Sequence, residues 1–285
     1  MIEIICWNIR WGQGRDGVVD LARIVDTVRA LGDPDVLCMQ EVARHFPAVD
    51  GTGADQVAVL QRLLPGYEAL FGAGTDMGGE QLGQRRQFGN VTLTRLPLLE
   101  VRNHVLPRPA TQDSPHMQRA ALEVNVKTAS GPLRVVNTHL EYFSAAHRAA
   151  QVAQLRALHQ AACAHPPRDA AIGSADAKPK APPVGCCPTV ICGDFNMEKS
   201  EAAYAHVLAP FGDTTPVLID AWTVVHPGEE HPPTCGVYEL IHWPAPNCRD
   251  FMFVSSDVAD RARRFDIDAK TDASDHQPLR LVLEL

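Results

Sequence analysis

The sequence predicts an α/β fold, and three observations carry that prediction. Ile2 to Cys6, Val36 to Met39 and Thr189 to Cys192 are apolar runs of strand length. Between the first two, Leu21, Ile24, Val25, Val28 and Leu31 recur at helical spacing, and Gly32 supplies a stop. Polar residues stand at the strand ends, where open α/β sheets build their sites.

Taken in order, the first strand ends in Trp7-Asn8 and the second in Gln40-Glu41. Ala54 to Leu64 reads as a short helix closed by Pro65-Gly66, and Tyr67 to Phe71 as a strand. Gly72 to Gln87 is rich in Gly and polar residues and reads as a mobile surface loop. Phe88 to Thr94 and Leu98 to Leu106 are strand-like runs broken by Pro97. Arg108 to His116 reads as a Pro-rich loop. Gln118 to Lys127 alternates, and Gly131-Pro132 turns it into Leu133 to Leu140, a hairpin whose second arm ends Asn137-Thr138-His139. Ser144 is placed to cap a helix running to about Cys163. Residues 165–188 hold six prolines among Ala, Lys and Gly, the composition of a surface insertion within a single domain spanning 1–285. After Asn196, Ser200 or Glu201 opens a helix to Leu208, and Leu218 to Trp222 follows with Asp220, read as structural. Phe251 to Val254 and Pro278 to Leu285 are the last strands, preceded by Arg249-Asp250 and Ser274-Asp275-His276.

Composition narrows the setting. The formal net charge is -8, and no Lys/Arg block advertises nonspecific nucleic-acid binding. The first residues carry no basic or long apolar segment, so neither a signal peptide nor membrane insertion is expected. Cys6, Cys38 and Cys192 sit inside apolar runs, the pattern of reduced thiols in a cytoplasmic protein. No Cys/His spacing matches a zinc site, and no obligate protein partner is indicated.

The chemistry lies in six polar clusters: Asn8, Glu41, His139, Asp194 with Asn196, Asp250, and Asp275 with His276. Asp194 and Asn196 follow Gly193 at spacing two, so in extended geometry both point to one side. Carboxylate and amide oxygens are ligands for hard cations, Mg²⁺ or Mn²⁺. Hydrolysis of a phosphate ester needs such a cation, a base for water, donors for the developing oxyanion and help for the leaving group. These clusters supply each of them.

At these residues the chain resembles the endonuclease/exonuclease/phosphatase (DNase I-like) superfamily. The resemblance rests on Trp7-Asn8, Gln40-Glu41, Gly89-Asn90-Val91, Arg95-Leu96-Pro97, Asn137-Thr138-His139-Leu140, Gly193-Asp194-Phe195-Asn196, Arg249-Asp250 and Ser274-Asp275-His276-Gln277-Pro278-Leu279. It implies a four-layer α/β sandwich, two packed mixed β-sheets flanked by helices. It also implies Glu41, Asn8 and Asp275 as Mg²⁺ ligands and Asp194 as the group that orients or activates water. Asn196 and His276 would bind the scissile phosphate, Asp250 would fix the His276 tautomer, and Arg119 is a further phosphate contact. His139 matches the DNase I and sphingomyelinase branches, where it would stabilise the transition state or protonate the leaving oxygen. Arg249 and Asp250 lack the spacer residue usual in the family.

The expected substrate is therefore a phosphate ester. A small or lipid-derived phosphodiester ranks ahead of DNA or RNA, for which Arg10, Arg85, Arg86, Arg108 and Arg119 would form a strand-contacting rim. A catalytically silent binding protein on the same fold is the alternative from another class.

Overall fold

The computed structural model describes residues 1–110, 116–164, 188–238 and 245–285. The strands are β1 (Ile2–Asn8), β2 (Val36–Arg44), β3 (Glu68–Gly78), β4 (Arg85–Thr94), β5 (Leu98–Val105) and β6 (Ala120–Thr128). They continue as β7 (Gly131–His139), β8 (Thr189–Asp194), β9 (Leu218–Asp220), β10 (Asp250–Ser255), β11 (Ala262–Ile267) and β12 (Leu279–Leu283). The helices are α1 (Leu21–Leu31), α2 (Pro47–Asp50), α3 (Gln56–Leu63), α4 (Ala145–Ala164), α5 (Ala202–Leu208) and α6 (Ala221–Val225). The proline-rich stretch before β8 lies outside the described residues up to position 187.

Two six-stranded sheets result, in the orders β11-β12-β1-β2-β4-β3 and β5-β6-β7-β8-β10-β9. Each is mixed in the same way. One parallel pair, β1/β2 or β7/β8, is flanked by antiparallel neighbours. The carboxyl ends of the parallel strands and the amino ends of β10 and β12 therefore gather at one end of the molecule. Each parallel pair is joined across a helix, α1 or α4. Asp20 caps α1 by accepting from the amides of Ala22 and Arg23, and the Ser144 hydroxyl accepts from His147 N at the start of α4, as its position in sequence predicts.

Three apolar clusters make the layers. One, with Ile4, Cys38, Val124, Val190 and Met252, fills the space between the sheets. A second, with Ile24, Val28, Leu37 and Leu60, lies under α1 and α3. A third, with Val152, Leu155, Phe195 and Phe253, lies under α4 and α5. Helix, sheet, sheet and helix are thus stacked in four layers, as the sequence resemblance implies.

The sheets are also joined by polar side chains. Asn137 on β7 donates from Nδ2 to the carbonyls of Met39 and Val91 on the facing sheet, at 3.2 and 2.8 Å. Its Oδ1 accepts from Gln40 Nε2 at 2.7 Å. Asn90 on β4 returns the contact, donating to Ala120 O at 2.9 Å. Each of these amides is buried, so its partners offset the loss of water.

One expectation is corrected and one strand is added. Of Gly72 to Gln87, only residues 79–84 form a loop: β3 and β4 pair from Glu68↔Thr94 to Gly78↔Arg85. Gly74 in this stretch serves close approach rather than flexibility, since a Cβ there would collide with the Gln118 carbonyl. The strand that the sequence does not display is β11, an edge strand whose pattern hides it: only Phe265 of its six residues is buried.

Candidate active site

All six polar clusters meet where the two sheets end. The first sheet contributes Asn8, Glu41, Asp275 and His276; the second contributes His139, Asp194, Asn196 and Asp250.

Glu41 sits where the β2/β4 register shifts between Met39 and Val42. The bulge re-aims one side chain, and Glu41 itself has φ 61, a conformation that costs a non-glycine residue free energy. Gln40 turns into the core and Glu41 turns to the site, with its side chain 19% exposed. Asn8 Nδ2 donates to Glu41 Oε1 at 3.1 Å and to Asp194 Oδ2 at 3.0 Å, so the amide ties the two sheets.

Gly193 (φ 151) ends β8, and its missing Cβ leaves room for the Thr138 carbonyl on the neighbouring strand. Asp194 and Asn196 then converge through a turn, not through strand alternation. Asn196 has φ 50 and its amide N donates to Asp194 Oδ1 at 2.9 Å. Its side-chain Nδ2 lies 3.0 Å from both His139 Nε2 and the Leu140 carbonyl. Asn196 thus orients His139 directly. The Arg249 guanidinium holds this turn, donating to Asn196 O at 3.0 Å and to Glu198.

His276 donates from Nδ1 to Asp250 Oδ2, and its Nε2 is 3.7 Å from Asp194 Oδ2. The Asp250 position is fixed without the spacer residue, because the Thr234 hydroxyl donates to Asp250 Oδ2 at 2.7 Å and accepts from Asp250 N. Sequence reading missed Thr234, which lies in a loop with no local signal. It also missed the second role of Trp7, whose Nε1 donates to the His276 carbonyl at 2.9 Å. The Ser274 hydroxyl completes the frame by donating to Asn8 O at 2.8 Å.

The two histidines are driven to opposite states. Burial pushes the His139 ring well below the usual range, and the cations Arg119 and His276 add to this. Burial also opposes charge on His276, but Asp250 and Asp194 reverse it and hold the ring well above its usual range. Burial raises Asp194 to about 6 against the pull of His276 and the Asn8 hydrogen bond. A carboxyl near 6 beside a neutral imidazole and an imidazolium suits acid–base work near neutrality.

Glu41 is raised to about 7, first by burial and then by the carboxylates of Asp275 and Asp194. Three carboxylates crowd here, with Arg10 3.8 Å from Asp275 as a distant counter-charge. That excess of hard oxygen and negative charge fits a divalent cation such as Mg²⁺ or Mn²⁺. Ligand atoms of Asp194, Asp250 and His276 also lie within 4.8 Å of one another. Since His276 Nδ1 is engaged by Asp250, that trio reads better as an orienting chain.

Arg119 lines the same cleft as His139, with Asn90, Phe88 and Met117 around it. Its Nε is 3.7 Å from Glu141 Oε2. Asp220 stands apart, capping α6 and accepting from the Tyr204 hydroxyl at 2.8 Å. Arg95 binds Asp33 and Asp35 and is likewise architectural.

A family model for the endonuclease/exonuclease/phosphatase family matches residues 5–276. The chain belongs to this family. The match begins in β1 and closes on His276, so it encloses the whole constellation. Among solved structures, the family protein from Bacteroides vulgatus superposes with a TM-score of 0.71 at 21% identity, covering 100% of this chain and 98% of that one. The family protein from Beutenbergia cavernae gives 0.68 at 24% identity, over 98% of this chain and 70% of that one. The Bacteroides thetaiotaomicron mannosyl-6-phosphatase gives 0.68 at 15% identity, with both chains covered completely. No curated protein matches the sequence. Family members are phosphoesterases or nucleases, and no described helix is long and apolar enough to cross a membrane.

Proposed function

We propose that this protein is a Mg²⁺- or Mn²⁺-dependent phosphodiesterase that hydrolyses a small diester by direct attack of water on phosphorus. The observation that carries the reading is Asp194. It is buried, raised to about 6, and contacted by Asn8, His139 and His276 from three other chain segments.

In this reading Asp194 accepts the proton of the attacking water. His276 stays protonated and donates from Nε2 to a phosphoryl oxygen, with Asp250 fixing its ring. His139 is held by Asn196 at Nε2, which leaves the proton on Nδ1 for a phosphoryl or leaving oxygen. Asn8, Glu41 and Asp275 hold the cation, which supplies charge neutralisation at phosphorus. Arg119 borders the cleft and adds positive potential near His139.

The preference for a diester rests on His139, which the diester-cleaving branches of the family share. The preference for a small substrate rests on charge. Asp76 takes up Arg85 and Asp275 faces Arg10, so part of a basic rim for a polymer is matched by carboxylates. The buried free thiols of Cys6, Cys38 and Cys192 support a reducing, cytoplasmic setting.

The test is a rate comparison on the Mg²⁺- or Mn²⁺-loaded protein with an aryl phosphodiester, the matching monoester, plasmid DNA and RNA. Faster diester turnover that is insensitive to added salt is expected. A faster monoester reaction, or nucleic-acid cleavage that falls steeply with salt, overturns the substrate assignment. No hydrolysis of any ester would overturn the enzyme reading in favour of a binding role.

A further inference from the structure

Outside the strand-end constellation, one more group of metal-ligating side chains comes together among the described residues: His116, Glu141 and His147. One ligand atom from each lies within 4.8 Å of the other two. They come from separate elements. His116 precedes β6, Glu141 follows β7 and His147 lies in the first turns of α4. Glu141 is 1% exposed and His147 is fully buried.

Two further observations point inward to a ligand. Glu141 Oε1 accepts from Phe143 N at 3.0 Å, but Oε2 is enclosed and accepts no hydrogen bond among the described residues. Arg119 Nε, at 3.7 Å, is too far to supply one. A buried carboxylate oxygen left so is costly unless something cationic completes it. Independently, His147 donates from Nε2 to the Pro109 carbonyl at 2.7 Å. A neutral ring that donates at Nε2 carries its lone pair on Nδ1, and ligating histidines are oriented by this kind of carbonyl bond.

We propose that His116, Glu141 and His147 form a second metal site, for Zn²⁺ or a similar borderline divalent ion. Two imidazoles and one carboxylate are a zinc-type set, while the oxygen-rich strand-end centre is a magnesium-type set. The two share no residue. Three protein ligands leave one position of a tetrahedral ion to water. Such an ion joins the segment that carries Arg119 to the start of α4 and the exit of β7. It therefore holds Arg119 beside His139 from behind. This inference does not depend on the phosphodiesterase reading.

The test is calorimetric titration of the metal-stripped full-length protein with Zn²⁺ in excess Mg²⁺. Binding of a zinc ion is expected in the parent and in Glu41→Gln. Affinity should fall at least about tenfold in His116→Gln and His147→Gln, each checked for native folding by circular dichroism. Co²⁺ in place of Zn²⁺ should give the visible absorption of a tetrahedral site in the parent and not in these variants. If His147→Gln fails to fold, the partly exposed His116 carries the comparison. No zinc uptake by the parent, or uptake that is lost in Glu41→Gln and kept in His116→Gln, overturns the proposal.

Discussion

His276 donates from Nδ1 to Asp250 Oδ2 across 2.8 Å, and the bond runs from one sheet to the other. The carboxylate gives the ring both its orientation and its charge. Asp250→Asn keeps the size of the side chain and removes the charge that holds His276 protonated. The expected result is a fall in kcat of about 100-fold or more with a near-native fold, read from steady-state kinetics and near-UV circular dichroism. An unchanged kcat would separate His276 from the chemistry.

Carboxylate crowding at Glu41 predicts opposite effects on stability and function. Without a divalent ion, Glu41→Gln relieves the repulsion from Asp275 and Asp194. The melting temperature in EDTA should rise by about 2 °C, corresponding to roughly 1 kcal/mol for a chain of this size. Added Mg²⁺ should raise the melting temperature of the parent and do less for Glu41→Gln. A parent that is already more stable than the variant in EDTA would contradict this.

Away from the site, Glu123 gives a clean pH signature. Burial raises its carboxyl, but His104 and the Arg134 guanidinium outweigh this and lower it from 4.5 to about 2. A depressed carboxyl stabilises the folded state above its unfolded value, and that stability is lost as pH falls. The contribution should be about 3 kcal/mol at neutral pH and should disappear between about pH 4.5 and pH 2. Urea unfolding of the parent and Glu123→Gln should therefore differ at pH 7 and converge toward pH 2.

Gly193 permits no side chain. Its φ of 151 and the Thr138 carbonyl against the missing Cβ both oppose Ala. Gly193→Ala should destabilise by more than about 4 kcal/mol, or fail to fold, as judged by soluble yield and denaturant midpoint. A normal midpoint would mean that the β7/β8 pairing can shift without loss.

Much of this geometry is legible in the sequence because strand ends advertise themselves. Asn8, Glu41, His139 and Asp194 each terminate an apolar run, and each reaches the site. What the sequence hides is non-local or conformational. The bulge that re-aims Glu41 depends on pairing with β4, and a sequence does not display it. Thr234 orients Asp250 from 16 residues away within a loop. The β3/β4 hairpin is hidden because its glycines have the composition of a loop but the function of a packed strand. What the family position of Asn196 does not display is that its amide in the folded chain reaches His139 and Leu140.

The polar seam of Gln40, Asn137 and Asn90 sets the two sheets in one fixed alignment. In the proposed function the cation ligands Asn8, Glu41 and Asp275 belong to one sheet, and Asp194 and His139 belong to the other. Neither half is a weaker version of the whole. A folding intermediate with one sheet formed would have no partial reactivity, and a chain cleaved between β4 and β7 would regain turnover only when its fragments reassociate. Under the proposed function, ester hydrolysis is a direct reporter of quaternary-like docking within a single chain.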